Sequence, residues 1–363
     1  MTIRIPLSSI SIGALENRHV AEVMRSTMIS SASPVVAAFE AALGARLGAD
    51  HVVAAASGTC ALELALRALG VGPGDEVIVP ALTFASPVAA VMLVGATPVI
   101  VDVSPEHWTI DPQEVARHIG PRTRAIVAVD VLGHPADYDA LAAFGIPVIE
   151  DAAEAIGARY KGRPTGSLGT IAIFSFHANK TIATGEGGCV ATNDAAIGAR
   201  VRQLTNFGMN PQRRYWHEFA GHNHRMTGLV AAVGLAQVMR WDELIGARAQ
   251  VTRWYDDAFA LAGVTRRPVM SWADEATWLY TIADDRRDDI LRACAGRGVD
   301  ARAIWPAIPD QPAFADLAQG AYPVTRRISD TALWLPTSAG LTEAEVGEVV
   351  QGVLEGHSRA KAA

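Results

Sequence analysis

Three short segments of this chain combine residue types that could do chemistry together. The first, Ser57-Gly58-Thr59, follows a β-rich run and precedes a helical one. The free backbone N–H groups at a helix N-terminus and the positive end of the helix dipole can together hold a phosphate. Ser and Thr are also the preferred N-cap residues. The segment alone therefore supports either a phosphate site or an ordinary cap.

The second segment places two acids, Glu150 and Asp151, at the end of an apolar run. Successive side chains of a strand point to opposite faces. We therefore expect one acid to face a ligand crevice and the other to face away from it. The alternative interpretation is an acid that caps the following helix.

The third segment ends another apolar run with Ser175 and then Lys180, ahead of a glycine-rich turn at 185–188. A lysine at the mouth of a buried strand loses hydration, which lowers its pKa and makes its amine a usable nucleophile. An exposed lysine at the sheet edge would give the same pattern.

One ligand, pyridoxal phosphate (PLP), needs all three segments at once. Its phosphate must be anchored, a lysine binds its aldehyde covalently, and an acid pairs with its ring nitrogen. The combination predicts a PLP site with Lys180 as the covalent anchor, an acid of the second segment at the ring nitrogen and residues 57–59 at the phosphate.

The elements around these segments must bring them to one edge of a sheet. Short apolar runs, typical of strands buried on both faces, alternate with helical patterns. This repetition predicts a mostly parallel sheet with helices on both faces, and ligands in such sheets bind beyond the carboxyl ends of the strands. The predicted strands are 52–56, 76–79, 98–103, 124–129, 147–150 and 170–176, and the predicted helices are 60–69, 87–93, 112–118 and 137–144.

The last third of the sequence has a different pattern. It predicts a long helix over 241–259, a strand-like stretch at 277–283, and helices near 287–296 and 342–354. We therefore expect a large domain over residues 1–244, including an N-terminal segment, and a smaller C-terminal α+β domain over 245–363.

Composition and charge argue against several other classes of protein. Lys plus Arg is 31 and Asp plus Glu is 38, a net charge of −7 with no basic block, so no nucleic-acid partner is expected. The three cysteines are far apart and odd in number, which predicts neither a disulfide framework nor a metal site and fits a cytoplasmic protein. Cys60, beside the predicted phosphate site, is interpreted as a small helix residue.

The uncharged stretch 77–101 is long enough to span a bilayer. It contains Pro80, Pro87, Gly95 and Pro98, which divide it into a strand, a loop, a short helix and a strand. We expect no membrane segment here. The first residues also lack the basic start and apolar run of a signal peptide.

Taken together, the motifs resemble those of the DegT/DnrJ/EryC1/StrS sugar aminotransferases, and the resemblance extends over about residues 5–354. It rests on the segments 57–59, 80–84, 151–157, 174–180 and 185–188. The segments 215–218, 221–226 and 278–282 look closest to the GDP-perosamine synthase branch of that family. The resemblance implies the type I, aspartate-aminotransferase-like PLP fold, with a mostly parallel seven-stranded sheet in the large domain.

The resemblance also implies a role for each matching position. Lys180 would be the covalent anchor and the general acid/base, and Asp151 would pair with the ring nitrogen. Phe84 would stack on the cofactor ring and Glu154 would lie close to it. The positions implied at the phosphate are Gly58, Thr59, Ser175 and, from the neighbouring subunit, Asn223. Such an asparagine implies a homodimer with shared active sites.

The reaction implied by the resemblance moves an amino group from L-glutamate to a keto carbon, C4 in the perosamine branch, of a nucleotide-linked keto-deoxy sugar. Two departures leave the sugar and the nucleotide open. His177 looks more like the pattern of enzymes that act on UDP-sugars, and a histidine frequent in relatives is missing from the stretch 305–309. Amination at C3, a cyclitol or another ketone as substrate, and a catalytically idle relative that serves as a sensor or partner subunit stay open as alternatives.

Overall fold

The computed structural model describes residues 2–264 and 266–359 of the chain. Its longer helices are α1 (Ala14–Ser26), α2 (Pro34–Leu47), α3 (Gly58–Ala68), α4 (Ser86–Leu93), α5 (Pro112–His118), α6 (Tyr138–Ala142), α7 (Ala195–Thr205), α8 (Gly228–Met239), α9 (Trp241–Ala262), α10 (Arg287–Gly296), α11 (Pro323–Thr331) and α12 (Glu343–Arg359).

The strands form one large sheet and two small ones. Their bounds are β1 (His51–Ala55), β2 (Glu76–Pro80), β3 (Thr97–Val101), β4 (Thr123–Val129), β5 (Val148–Asp151), β6 (Arg159–Tyr160), β7 (Arg163–Pro164), β8 (Ile171–Ser175), β9 (Gly188–Thr192), β10 (Ala273–Asp274), β11 (Tyr280–Ala283), β12 (Arg302–Ala303) and β13 (Ala332–Leu335).

The large sheet has seven strands in the order β1-β9-β8-β5-β4-β2-β3. The pairs from β8 through β5, β4 and β2 to β3 are parallel, whereas β9 runs antiparallel to both of its neighbours. The carboxyl ends of β4, β5 and β8 therefore lie side by side at one edge. This edge brings Asp151 and Ser175 close to each other, as the sequence predicted.

The local sequence explains how the helix that faces this edge begins. Ser57 is extended and caps α3, because its Oγ accepts the backbone N–H of Cys60 at 3.1 Å. Leu62 and Leu66 of α3, which share one face of the helix, are buried in the main core. A side-chain cap and an apolar face together fix where the first turn of this helix lies.

Six predicted strands and the four predicted helices between them are found within two or three residues of their expected ends. Within 77–101 the structure has β2, α4 and β3, as predicted, and across the described residues no helix is long and apolar enough to cross a membrane. The seventh strand, β9, was missed because it directly follows the glycine-rich turn.

The C-terminal third has its own three-stranded sheet, in the order β11-β13-β12. Its core joins Tyr255 and Phe259 of α9 to Ile290 of α10 and Val349 of α12. The helix α9 begins at Trp241 and so runs through the predicted domain boundary at 244/245. The domain division itself stays a prediction.

Candidate active site

A pocket of about 400 Å³ lies at the carboxyl edge of the large sheet. Its floor comes from β4, β5, β8 and the first turn of α3. Seven of the eight predicted site residues line it, namely Gly58, Thr59, Phe84, Asp151, Glu154, Ser175 and Lys180. One continuous pocket therefore brings together residues from segments more than 120 positions apart.

The first turn of α3 is pressed against the end of β8. A Cβ atom placed on Gly58 would lie 2.8 Å from the Cβ of Ser175, and one placed on Gly188 would lie 2.5 Å from the carbonyl carbon of Ser57. Only glycine fits at these two contacts. Thr59 Oγ1 lies 2.8 Å from Ser86 Oγ, so hydroxyl groups stand beside the free N–H groups of the helix start. The sequence analysis missed Ser86.

The two adjacent acids of β5 face opposite sides of the sheet, as expected. Asp151 lines the pocket, and its Oδ1 accepts the backbone N–H of Ala153 at 3.1 Å. Glu150 is directed away from the pocket and accepts backbone N–H groups of Gly166, Leu168 and Gly169. Glu150 therefore holds a loop on the opposite face of the sheet. Of these two adjacent acids, only Asp151 can take part in chemistry in the pocket.

Burial is the main influence on the ionisation of Asp151. It raises the pKa of this carboxyl to about 7, helped by the nearby charge of Glu154 and opposed by the Ala153 hydrogen bond and by Lys180. A nearby cation would stabilise the ionised form of this buried carboxyl, because an opposite charge lowers the pKa of an acid.

Lys180 is almost completely buried. Its side chain is 11% exposed, its Nζ lies 3.6 Å from Glu154 Oε1, and the same Nζ is 3.7 Å from the centroid of the Trp278 ring. Burial lowers the pKa of its amine, while the charges of Glu154 and Asp151 oppose that shift. The amine is therefore closer to its neutral, nucleophilic form than a surface lysine is.

Glu154 is fixed by the backbone on its other side, because its Oε2 accepts the N–H of Leu132 at 2.8 Å. Burial raises the pKa of Glu154, and Lys180 and the Leu132 hydrogen bond oppose that rise. This acid thus holds the lysine amine from one side while Trp278 covers it from the other.

Three tryptophans, Trp278, Trp305 and Trp334, form a wall of the pocket. The stretch 305–309 was expected from the sequence to lie near the sugar or nucleotide, whereas Trp278 and Trp334 were not assigned to the site. Trp305 stacks on Trp278 at 6.1 Å between ring centroids and meets the edge of Trp334 at 4.8 Å. Trp278 Nε1 donates to the carbonyl of Asn179 at 2.9 Å, which ties this wall to the lysine loop. The three residues lie before β11, after β12 and on β13.

Two predicted residues have positions that differ from the rest. Phe84 lines the pocket but is 56% exposed. Asn223 does not line the pocket of its own chain; its Oδ1 accepts a hydrogen bond from Arg225 at 2.9 Å. The position of Asn223 is compatible with a role in another copy of the chain, which stays a prediction.

Comparison with known proteins decides what kind of pocket this is. The DegT/DnrJ/EryC1/StrS aminotransferase family matches residues 11–354. The chain belongs to this family. The resemblance seen in the motifs is thus confirmed, and with it the prediction of an aminotransferase.

Relatives of this DegT/DnrJ/EryC1/StrS aminotransferase cover nearly its full length. A GDP-perosamine synthase of Caulobacter vibrioides is 40% identical, over 96% of each chain. The putative pyridoxal phosphate-dependent aminotransferase EpsN of Bacillus subtilis is 33% identical, over 97% of this chain and 95% of its own. The crystal structure of DesV from S. venezuelae superposes with a TM-score of 0.93 at 36% identity, over 99% of this chain and 100% of that one.

These findings confirm the predicted type of fold and the predicted cofactor, because the family is PLP-dependent. The residues of this chain fit that group. The start of α3 presents backbone N–H groups that have no partner within the helix, Asp151 is a buried acid suited to a cationic ring nitrogen, and Lys180 supplies a desolvated amine. The individual role of each residue stays a prediction.

Proposed function

We propose that this aminotransferase moves the amino group of L-glutamate to a keto carbon, C4, of a nucleotide-linked keto-deoxy sugar. The observation that carries the proposal is the buried Lys180 amine, in one pocket with Asp151 and the first turn of α3. The extended likeness to GDP-perosamine synthase supports a nucleotide sugar as the acceptor.

The residues of the floor would divide the work of the reaction. When bound, PLP supplies an electrophilic aldehyde and a ring that withdraws electrons from the reacting carbon. Asp151 would hold the proton at the ring nitrogen, and the Gly58 and Thr59 backbone N–H groups would bind the phosphate. Lys180 Nζ would carry the proton to and from the substrate carbon, which its lowered pKa favours.

The tryptophan wall supports a sugar as the second substrate. Flat aromatic faces bury the apolar face of a pyranose ring while its hydroxyl groups stay free for polar partners. Arg302 also lines this side, but it is ion-paired to Asp300 at 2.8 Å. The wall therefore favours an uncharged deoxy sugar over one that carries a carboxylate.

We further propose a homodimer in which Asn223 reaches the phosphate site of the partner subunit. Asn223 does not line its own pocket, and the stretch before it leaves Tyr215 72% and Trp216 49% exposed. Aromatic side chains exposed in this way are typical of surfaces that a partner covers. Analytical ultracentrifugation should show a dimer, and a monomer that is fully active would contradict the shared site. Cell fractionation would test the predicted cytoplasmic location.

The substrate proposal is tested in two stages. A yellow purified protein that borohydride and L-glutamate each bleach would show that the Lys180 linkage works. GDP-, UDP- and dTDP-linked 4-keto and 3-keto sugars are then offered with glutamate, and the product is assigned by NMR. Bleaching by glutamate with no turnover of any nucleotide sugar would keep the aminotransferase but favour a cyclitol or another ketone. A colourless protein in excess PLP would favour the idle relative.

A further inference from the structure

A cluster of potential metal ligands lies beside α3, and none of its residues lines the active-site pocket. It consists of Glu63, His222 and His224, each of which offers one ligand atom, and these three atoms all lie within 4.8 Å of one another. His224 Nε2 is 3.0 Å from Glu63 Oε2, and His222 Nε2 is 3.3 Å from Glu63 Oε1. The predicted reaction uses none of the three.

The backbone holds the two histidines in register. The extended segment 222–225 is bonded on two sides: the N–H of Ala56 donates to the carbonyl of His224 at 2.8 Å, and the N–H of His222 donates to the carbonyl of Leu204 at 3.0 Å. Residues two apart on such a segment share a face. Their rings are accordingly stacked, with centroids 4.9 Å apart.

The acid is held just as firmly from the helix. Glu63 lies on α3, and its Oε1 accepts a hydrogen bond from Arg67 Nε at 2.8 Å, one turn along. The Glu63 side chain is only 11% exposed, whereas the His222 side chain is 42% exposed. The carboxylate is therefore fixed in the interior, and solvent reaches the cluster at His222. A held carboxylate with a solvent-side entrance is what a bound ion requires.

The ligand types identify the class of ion. Two imidazole nitrogens and one carboxylate oxygen suit a divalent transition ion such as zinc rather than magnesium or calcium. Zinc bonds of about 2.0–2.2 Å place tetrahedral ligands roughly 3.3–3.6 Å apart. The two histidine nitrogens lie 3.0 and 3.3 Å from the two oxygens of Glu63, close to that range. The three ligand atoms lie within 4.8 Å of one another, so the two imidazoles must move towards a common point to close the site.

We propose that Glu63, His222 and His224 form a zinc site. The bound ion would link the segment that carries Asn223 to α3, whose first turn forms the proposed phosphate site. Cys60 lies beside His224 at this site. The site itself does not depend on the proposed reaction. Any effect of the zinc site on cofactor binding does depend on the proposed function, because such an effect requires Asn223 to contact the phosphate site of the partner subunit.

The test measures zinc binding by the holoenzyme, not activity. Metal-depleted holoenzyme is titrated with zinc chloride by calorimetry, and bound metal is counted by mass spectrometry after dialysis. We expect one zinc per chain, and an affinity lowered by about 100-fold in the double variant His222→Ala, His224→Ala. His217→Ala, in the neighbouring exposed stretch, is the matched control and should bind as the wild type does.

Two further measurements keep the outcome decisive. If the double variant does not fold, the single variant His222→Gln, at the exposed ligand, replaces it, with circular dichroism as the check. Cobalt(II) should give tetrahedral bands at wavelengths beyond the cofactor's absorption in the wild type and lose them in the variant. Absence of saturable binding to the wild type would overturn the proposal. So would equal binding by wild type and variant, which indicates an adventitious ion only.

Discussion

The floor and the wall of the pocket are built in different ways. The floor consists of strand ends and a helix start, where Gly58 and Gly188 leave no space for a side chain. The wall consists of three large side chains, Trp278, Trp305 and Trp334, carried by separate stretches of the C-terminal third. The floor is therefore fixed by backbone geometry and suits one cofactor, whereas the wall depends on side-chain identity and suits the choice of substrate.

The largest effect is expected at the floor, from Lys180→Ala. Removing the buried amine would take away both the proposed covalent anchor and the proposed proton carrier, so kcat should fall by about 10³-fold or more. Steady-state assays and the absorbance of the bound cofactor measure this, with circular dichroism as the check on folding. Lys161→Ala, at an exposed lysine, is the matched control. Normal turnover by Lys180→Ala would remove the basis of the proposed function.

Asp151→Asn should have the next largest effect. The neutral amide keeps the shape of the side chain but loses the charge that would hold a proton on the ring nitrogen, so kcat should fall by about 10²-fold. Unchanged kcat with bound cofactor would show that this acid has only a structural role.

The same carboxyl predicts how the stability of the cofactor-free protein depends on pH. Burial raises its folded-state pKa from 3.8 to about 7. Its contribution to stability is thus fully present below about pH 4 and is lost as the pH rises through 7. Thermal unfolding of apoprotein between about pH 5 and pH 8 should show this loss. In Asp151→Asn this loss of stability with rising pH should be smaller but still present, since the pKa of Glu150 is also raised to about 7. An identical pH profile in the variant would contradict the assignment.

At the wall, Trp305→Ala should act on the sugar and spare the amino donor. The loss of one stacked face, on the order of 1–2 kcal/mol, should raise KM for the sugar by about 5- to 30-fold. The glutamate half-reaction, followed by cofactor absorbance, should keep its rate. Trp305→Phe, which keeps an aromatic face at the same position, is the control and should raise this KM less. A loss shared equally by both half-reactions would mean that the wall and the floor are not separable.

The smallest effect on turnover is expected from Glu150→Gln, the neighbour of Asp151 on the opposite face. The amide replaces a carboxylate that accepts three backbone N–H groups, so stability should fall by about 1–3 kcal/mol. Denaturant unfolding of the holoenzyme measures this, and kcat should stay within about twofold. A loss of activity as large as that of Asp151→Asn would show that the two faces of β5 act together.

The floor was predictable from sequence because its signals are local. Ser57-Gly58-Thr59, Asp151 and Lys180 each follow an apolar run, and parallel strand ends meet at one edge. The wall was predictable only at the stretch 305–309, which the resemblance placed near the sugar or nucleotide. Trp278 and Trp334 were not predictable, because the three tryptophans become neighbours only when three separate strands pair. Glu63 and His222 lie 159 positions apart along the chain, and a spacing argument confined to the cysteines could not find them.

The contact between Gly58 and Ser175 has a consequence for engineering this protein. Since main-chain N–H groups would form the proposed phosphate site, substitutions at Trp305, Trp334 or Arg302 should be possible in combination without weakening cofactor binding. A library of variants at those three positions could be screened for activity on new acceptor substrates while the affinity for the cofactor stays constant. Diversity introduced at position 58 would instead yield colourless proteins.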